Sequence, residues 1–188
     1  MNVLVFGSLN IDRTYTVEHF VQPGETLSVA RMDLFGGGKG FNQAIALARA
    51  GCGIYFAGAL GSDGEMLEKE LLESGIKLDY LSRVPIPSGH AVIQVDKSGQ
   101  NCILISSGAN GSIAPAYIDS VLSHFSQGDH IVLQNEIPHV DYIINEAKKR
   151  GMVIAFNPSP YEERIQEYRV DKVDYLLINH IEGAGLKP

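Results

Sequence analysis

Phe35-Gly36-Gly37-Gly38-Lys39-Gly40-Phe41-Asn42-Gln43-Ala44 places four glycines in five positions beside one lysine and one asparagine, then runs straight into a helical pattern. Glycine removes the Cβ where a backbone must take unusual dihedrals or let another group come close. The spacing predicts a helix over Asn42 to Ala50. Such a helix opens on N–H groups without intrahelical partners and on the positive end of its dipole, so the turn can hold an anion or a ring of hydroxyls. A plain turn is the other reading of the same cluster. Two familiar phosphate loops are weakened as readings, because Lys39 is followed by Gly40 where a Walker loop has Ser or Thr, and Phe41 stands at the last glycine of a G-x-G-x-x-G fingerprint.

Before this stretch, Asn2 to Gly7 reads as a buried parallel strand that delivers Ser8, Asn10 and Asp12 at its carboxyl end. Tyr15-Thr16-Val17 and Leu27-Ser28-Val29-Ala30 are short β-prone runs around the turn Gln22-Pro23-Gly24-Glu25. After it, strands and helices alternate: strand Ile54 to Ala57, helix Glu65 to Ser74, strand Leu78 to Ser82. A second β-only stretch follows, with Ala91 to Val95 and Ile103 to Ile105 as hairpin partners. Helix Ala114 to Phe125, strand His130 to Leu133, helix Val140 to Arg150, and strands Met152 to Asn157 and Tyr175 to Ile178 complete the pattern. This alternation predicts one α/β domain with a parallel sheet between two helical layers. Its core is expected over residues 1–12, 36–87 and 109–188, and the β-only stretches 13–35 and 88–108 are expected to pair as a small β-sheet lid.

At 188 residues and 45% hydrophobic composition the chain can bury one sizeable core. A net charge of −7 argues against nucleic acid and against an anionic membrane surface as partners, and leaves a small ligand. Cys52 and Cys102 lie far apart outside any Cys-x-x-Cys pattern, so neither a disulfide framework nor a zinc site is expected. The N-terminus lacks a basic region followed by a long apolar one, and the expected location is cytoplasmic. The six histidines show no metal-ligand spacing, and Ser8, Ser62 and Ser159 lack a G-x-S-x-G context.

The polar residues gather just past the predicted strands: Asn10 and Asp12, Glu136, Asn157, then Asn179 and Glu182. Parallel strands put these on one edge, where they can donate and accept hydrogen bonds to a polyhydroxylated molecule. Each also has a plain reading, as a turn cap or a solvated loop acid. Taken in order, Gly7-Ser8-Leu9-Asn10-Ile11-Asp12, Pro23-Gly24-Glu25-Thr26 and Gly37-Gly38-Lys39-Gly40-Phe41-Asn42-Gln43-Ala44 resemble the N-terminal signature of the ribokinase-like carbohydrate kinases, the PfkB family. Gln134-Asn135-Glu136-Ile137-Pro138, Asn157-Pro158-Ser159-Pro160 and Asn179-His180-Ile181-Glu182 continue the resemblance along the whole chain, which is most similar to the ribokinase branch.

The resemblance implies a Rossmann-like three-layer core with a β lid, and an ATP-dependent kinase acting on a primary hydroxyl of a pentose or similar sugar. Asn10, Asp12, Gly38, Lys39, Asn42 and Glu136 would bind the sugar, with Ala91 and Ile93 as apolar lid contacts. Asn179 and Glu182 match the family's Asn-x-x-Glu pattern, associated with Mg2+ and the nucleotide phosphates. Dimerisation through the lid is common in the family, and Val92, Ile103 and Ile105 are candidate contacts. Phe41, His90 and the shortened start of the helix after Asp63 depart from the pattern and bear on the choice of sugar. The family's Gly-Ala-Gly-Asp motif, with its catalytic Asp and anion hole, is absent, and Gly183-Ala184-Gly185 is followed by Leu186. The C-terminal part of the fold is therefore expected to be missing, the chain to lack kinase activity alone, and its open sheet edge to invite association. The alternative is a non-catalytic sugar-binding or regulatory protein built on the same fold.

Overall fold

The computed structural model describes residues 1–185, so Leu186 lies outside the described residues. In chain order the strands are β1 (Val3–Phe6), β2 (Asn10–Thr16), β3 (Arg31–Gly37), β4 (Ile54–Leu60), β5 (Lys77–Arg83), β6 (Gly89–Val95), β7 (Asn101–Ser106), β8 (His130–Gln134), β9 (Val153–Asn157) and β10 (Tyr175–Leu176). The α-helices are α1 (Lys39–Arg49), α2 (Glu65–Glu73), α3 (Pro115–Leu122), α4 (Val140–Lys149) and α5 (His180–Gly185).

Six strands form one sheet in the order β10-β9-β8-β1-β4-β5, and every pairing in it is parallel. Alternation along β1 divides the core. Leu4 and Phe6 pack with Ile118 and Leu122 of α3 and with Ile143 and Ile144 of α4, whereas Val5 packs with Phe41, Ala44 and Ile45 of α1 and with Leu67 and Leu71 of α2. Each fully buried side chain of this size contributes about 1.5–3 kcal/mol relative to exposure, so helices on both faces are what stabilise a sheet that is apolar on both. In α4, Val140, Ile143, Ile144 and Ala147 recur at helical spacing and are all buried, while Asp141 in the first turn and Lys148 and Lys149 in the last suit the helix dipole.

The strand order has a functional consequence. From β1 the chain builds outward through β4 and β5, then returns to the other side of β1 with β8 and builds outward through β9 and β10. The direction of winding reverses between β1 and β8, and in open parallel sheets ligands sit in the crevice beyond the carboxyl ends of the strands at such a point. Here those ends deliver Gly7-Ser8 and Asn135-Glu136.

A second sheet has the order β3-β2-β6-β7. β2 pairs antiparallel with β3 and parallel with β6, so the two β-only stretches of sequence meet side by side. Its strands differ in extent from the sequence expectation. β2 begins at Asn10, β3 runs over Arg31–Gly37, and Leu27 to Ala30 carries no strand. Gly36 and Gly37 are therefore strand residues paired with Ile11 and Asn10, and α1 starts earlier than expected, at Lys39. Asn10, Asp12 and the glycines are poor strand formers, and the ladder with neighbouring strands overrides that preference. At the other end, β10 covers only two residues of the strand expected over Tyr175 to Ile178. Among the described residues no helix is long and apolar enough to cross a membrane.

Candidate functional site

The glycine stretch is held by one carboxylate. Glu136, just past β8, accepts through Oε2 from the Ser8 hydroxyl and from the Lys39 backbone N–H at 2.7 Å, and its Oε1 lies 3.4 Å from Lys39 Nζ. The next N–H groups of α1 also have protein partners: Gly40 donates to Ser8 Oγ at 3.3 Å, Phe41 to the Ser8 carbonyl at 2.9 Å, and Asn42 to the Gly38 carbonyl at 3.0 Å. Of the two occupants expected at this helix start, an anion or a ring of hydroxyls, the anion's place is taken by Glu136 of the chain itself, which the helix dipole favours. Two glycines allow this closure. Gly38 caps α1 at φ 89°, a left-handed conformation that side chains resist. At Gly40 a Cβ would lie 2.5 Å from the Ser8 nitrogen and 2.7 Å from Gly7 Cα, so any side chain would push α1 off the β1–β2 connection.

Beside this closure lies a cavity of about 170 Å³. Asn10, Asp12, Gly38, Lys39, Asn42 and Glu136 all line it, as do Ala91 and Ile93, and Ile103 and Ile105 of β7 add apolar wall. Asn10 and Asp12 reach it together because side chains two apart on a strand share a face. Across the ladder Asp12 stands beside Ala91, which stands beside Ile105, so a polar floor meets an apolar side. The Asp12 carboxylate has no hydrogen bond or ion pair among the described residues. Burial, and then the charge of Glu136, raise its pKa above the ordinary carboxylate value. Lys39 lines the same cavity but pairs with Glu136.

Lys39 and Asn42 also line a second cavity of about 690 Å³, whose other side carries Asn157, Ser159, Asn179 and Glu182. Here Asn179 and Glu182 hold each other: the Asn179 N–H donates to Glu182 Oε2 and the Glu182 N–H to Asn179 Oδ1, each at 2.9 Å. This reciprocal pair is a capping box at the start of α5, and one oxygen of the buried Glu182 is committed to it.

Two polar residues at the site were not assigned a role from sequence. Ser8 is fully buried and joins Glu136 to α1. Asn110, in the 3-10 turn Gly108–Ser112, is buried against Leu9 and Asn10. A polar residue in the Gly-Ala-Asn-Gly run that follows a strand was the available signal.

Similarity to known proteins decides the family. The family model described as pfkB family carbohydrate kinase matches residues 1–186. The chain belongs to the pfkB carbohydrate kinases. Among members of that family, the ribokinase of Haemophilus influenzae is 33% identical over 187 residues, covering 97% of this chain and 61% of its own length. The ribokinase of Bacillus subtilis is 32% identical, with 100% of this chain and 65% of its own length covered. Ribokinase from Cryptococcus neoformans in complex with ADP superposes with a TM-score of 0.84 at 33% identity, over 98% of this chain and 60% of that one. Arabidopsis thaliana ribokinase complexed with ribose and ATP gives a TM-score of 0.80 at 30% identity, over 98% of this chain and 62% of that one. This pfkB chain therefore spans about three fifths of the length of these relatives.

The unpaired Asp12 carries a stability prediction. Its ionised form is disfavoured in the fold, so replacing it with Asn, which keeps the shape and removes the charge, raises the melting temperature at neutral pH. The gain fades as pH falls through the raised pKa and vanishes below the ordinary carboxylate range, where wild-type Asp12 is protonated whether folded or not. Thermal melts of both proteins from pH 3 to 8 read this directly, and an Asp12→Asn variant less stable at pH 7 contradicts it.

Proposed function

We propose that this chain is the sugar-binding part of an ATP-dependent sugar kinase of the ribokinase type, which phosphorylates a primary hydroxyl of a pentose. The observation that carries the reading is the small cavity in which the unpaired Asp12 carboxylate and the Asn10 amide meet Lys39 and Asn42 beside an apolar wall. Drug-sized ligands occupy roughly 300–1,000 Å³. A cavity of about 170 Å³ suits a molecule of the size of a monosaccharide, and the donors and acceptors in it match hydroxyls, which need both.

The larger cavity is the place for the nucleotide phosphates, because it shares Lys39 and Asn42 with the sugar cavity. Phosphoryl transfer depends on positioning and on neutralising charge, and an ammonium between the two cavities serves both. Mg2+ supplies further neutralisation when bound with the nucleotide. The donor set fits a hard cation held largely through water, with Glu182 and Asn179 as its protein side, because one Glu182 oxygen is already used at the helix start. No carboxylate among the described residues lines both cavities. The chain by itself is expected to bind sugar without transferring phosphate.

The reading includes self-association and a cytoplasmic location. Leu104 and Ile105 on edge strand β7 are 68% and 65% exposed, and Tyr175 on edge strand β10 is 62% exposed. These edges support a homodimer through the smaller sheet or pairing through β10. Sedimentation is expected to give dimers or larger species, and a monodisperse monomer sets this part aside.

Titration calorimetry with D-ribose tests the site. Wild-type chain is expected to bind, and Asp12→Ala and Lys39→Ala to weaken binding at least tenfold, as expected for lost charged hydrogen bonds of about 1.5–3 kcal/mol. Unchanged affinity in both variants removes the sugar reading. Turnover of ATP with ribose by the chain alone overturns its inactivity.

A further inference from the structure

We propose that Asn110 is a positioning residue that fixes which end of the Asn10 side-chain amide meets the substrate, so that Asn10 faces the cavity only as a hydrogen-bond donor. The inference rests on the reading of the small cavity as a sugar site. It begins with groups whose polarity is not adjustable.

The Leu9 N–H can only donate and the Leu9 carbonyl can only accept. Asn110 answers both: its Oδ1 accepts from Leu9 N–H at 2.9 Å and its Nδ2 donates to the Leu9 carbonyl at 3.1 Å. Asn110 is 2% exposed, and with the amide turned round both bonds to Leu9 become like-with-like contacts. Its orientation is therefore dictated by backbone. The same Nδ2 donates a second bond to Asn10 Oδ1 at 2.8 Å. Asn10 is itself 5% exposed, so its oxygen is held there and its Nδ2, which has no partner among the described residues, is the end left for the cavity.

A second observation supports the relay. Gly89 of β6 lies opposite Asn10 in the ladder, and a Cβ built on it would sit 2.1 Å from Asn110 Nδ2 and 2.3 Å from Asn10 Oδ1. Any side chain at 89 would displace that hydrogen bond. Three elements, β2, β6 and the turn Gly108–Ser112, thus converge on one contact.

The consequence is an ordered code on the cavity floor. At Asn10 a substrate oxygen must accept, and at Asp12, two residues along the same strand face, a substrate hydroxyl must donate, because an ionised carboxylate only accepts. Substrate orientation follows from this pair, and Asn110, which lines the adjoining cavity with Asn10 and Glu136 but not the sugar cavity, is what fixes the first half of it.

The test is a double-mutant cycle on D-ribose binding, with Asn10→Ala, Asn110→Ala and both together. Asn110→Ala is expected to weaken binding about three- to tenfold, the range of one hydrogen bond, and the double variant to bind no more weakly than Asn10→Ala alone, because Asn110 acts through Asn10. Binding equal to wild type in Asn110→Ala, or a double loss equal to the product of the single losses, overturns the proposal. A drop in melting temperature does neither, since the bonds to Leu9 also support the fold. Should Asn110→Ala fail to fold, Gly89→Ala inserts a methyl into the same contact; weaker ribose binding supports the relay and unchanged binding overturns it. If wild-type chain does not bind ribose, the sugar reading fails separately. The relay is then read from side-chain amide exchange by NMR: slow Nδ2 protons on Asn110 with fast ones on Asn10 support it, and the reverse pattern overturns it.

Discussion

One carboxylate holds the site together. Glu136 takes a hydroxyl from the β1 end, the first N–H of α1 and the lysine ammonium, and so joins three elements that diverge from the point where the sheet reverses its winding. With 14% of its side chain exposed, this carboxylate is ringed by donors from Ser8 and Lys39. Everything around the cavity depends on the join. It fixes where Gly38 turns, and hence where Lys39 and Asn42 emerge and how closely α1 can approach Ser8.

The charge balance explains the rest of the cavity. Glu136 is satisfied by α1, but Asp12 has no such partner and stands in the field of Glu136 with part of its solvation removed. A fold optimised for stability alone would place an amide or a hydroxyl there. An unpaired acceptor next to an oriented donor is what a ligand of several hydroxyls completes. The smaller sheet contributes apolar wall through Ala91, Ile93, Ile103 and Ile105, which lowers the local polarity and strengthens each polar contact made inside.

Much of this was legible in sequence, for a physical reason. Strand–helix alternation fixes a parallel sheet, and a parallel sheet puts all strand carboxyl ends on one edge, so the chain alone assigns Asn10, Asp12, Glu136, Asn157 and Asn179 to a common side. The limits of β2 and β3 were not legible, since Asn10, Asp12 and two glycines enter strands only because neighbouring strands pair with them. The partners of Glu136 were hidden for a related reason: its bonds go to Ser8 and Lys39, far away in sequence. Asn179-x-x-Glu182 shows how one pattern carries two meanings, for a phosphate-side pair and a capping box need the same spacing, and the observed bonds are those of the box.

The most direct measurement is an NMR titration of the isotopically labelled chain with D-ribose. Shift changes are expected at Asn10, Asp12, Asn42, Ala91 and Ile93, the walls of the small cavity, and none at the separate groove between β5 and α3 lined by Asp79, Tyr80, Ser120 and His124. Shifts confined to that groove, or spread evenly over the surface, would contradict the sugar reading.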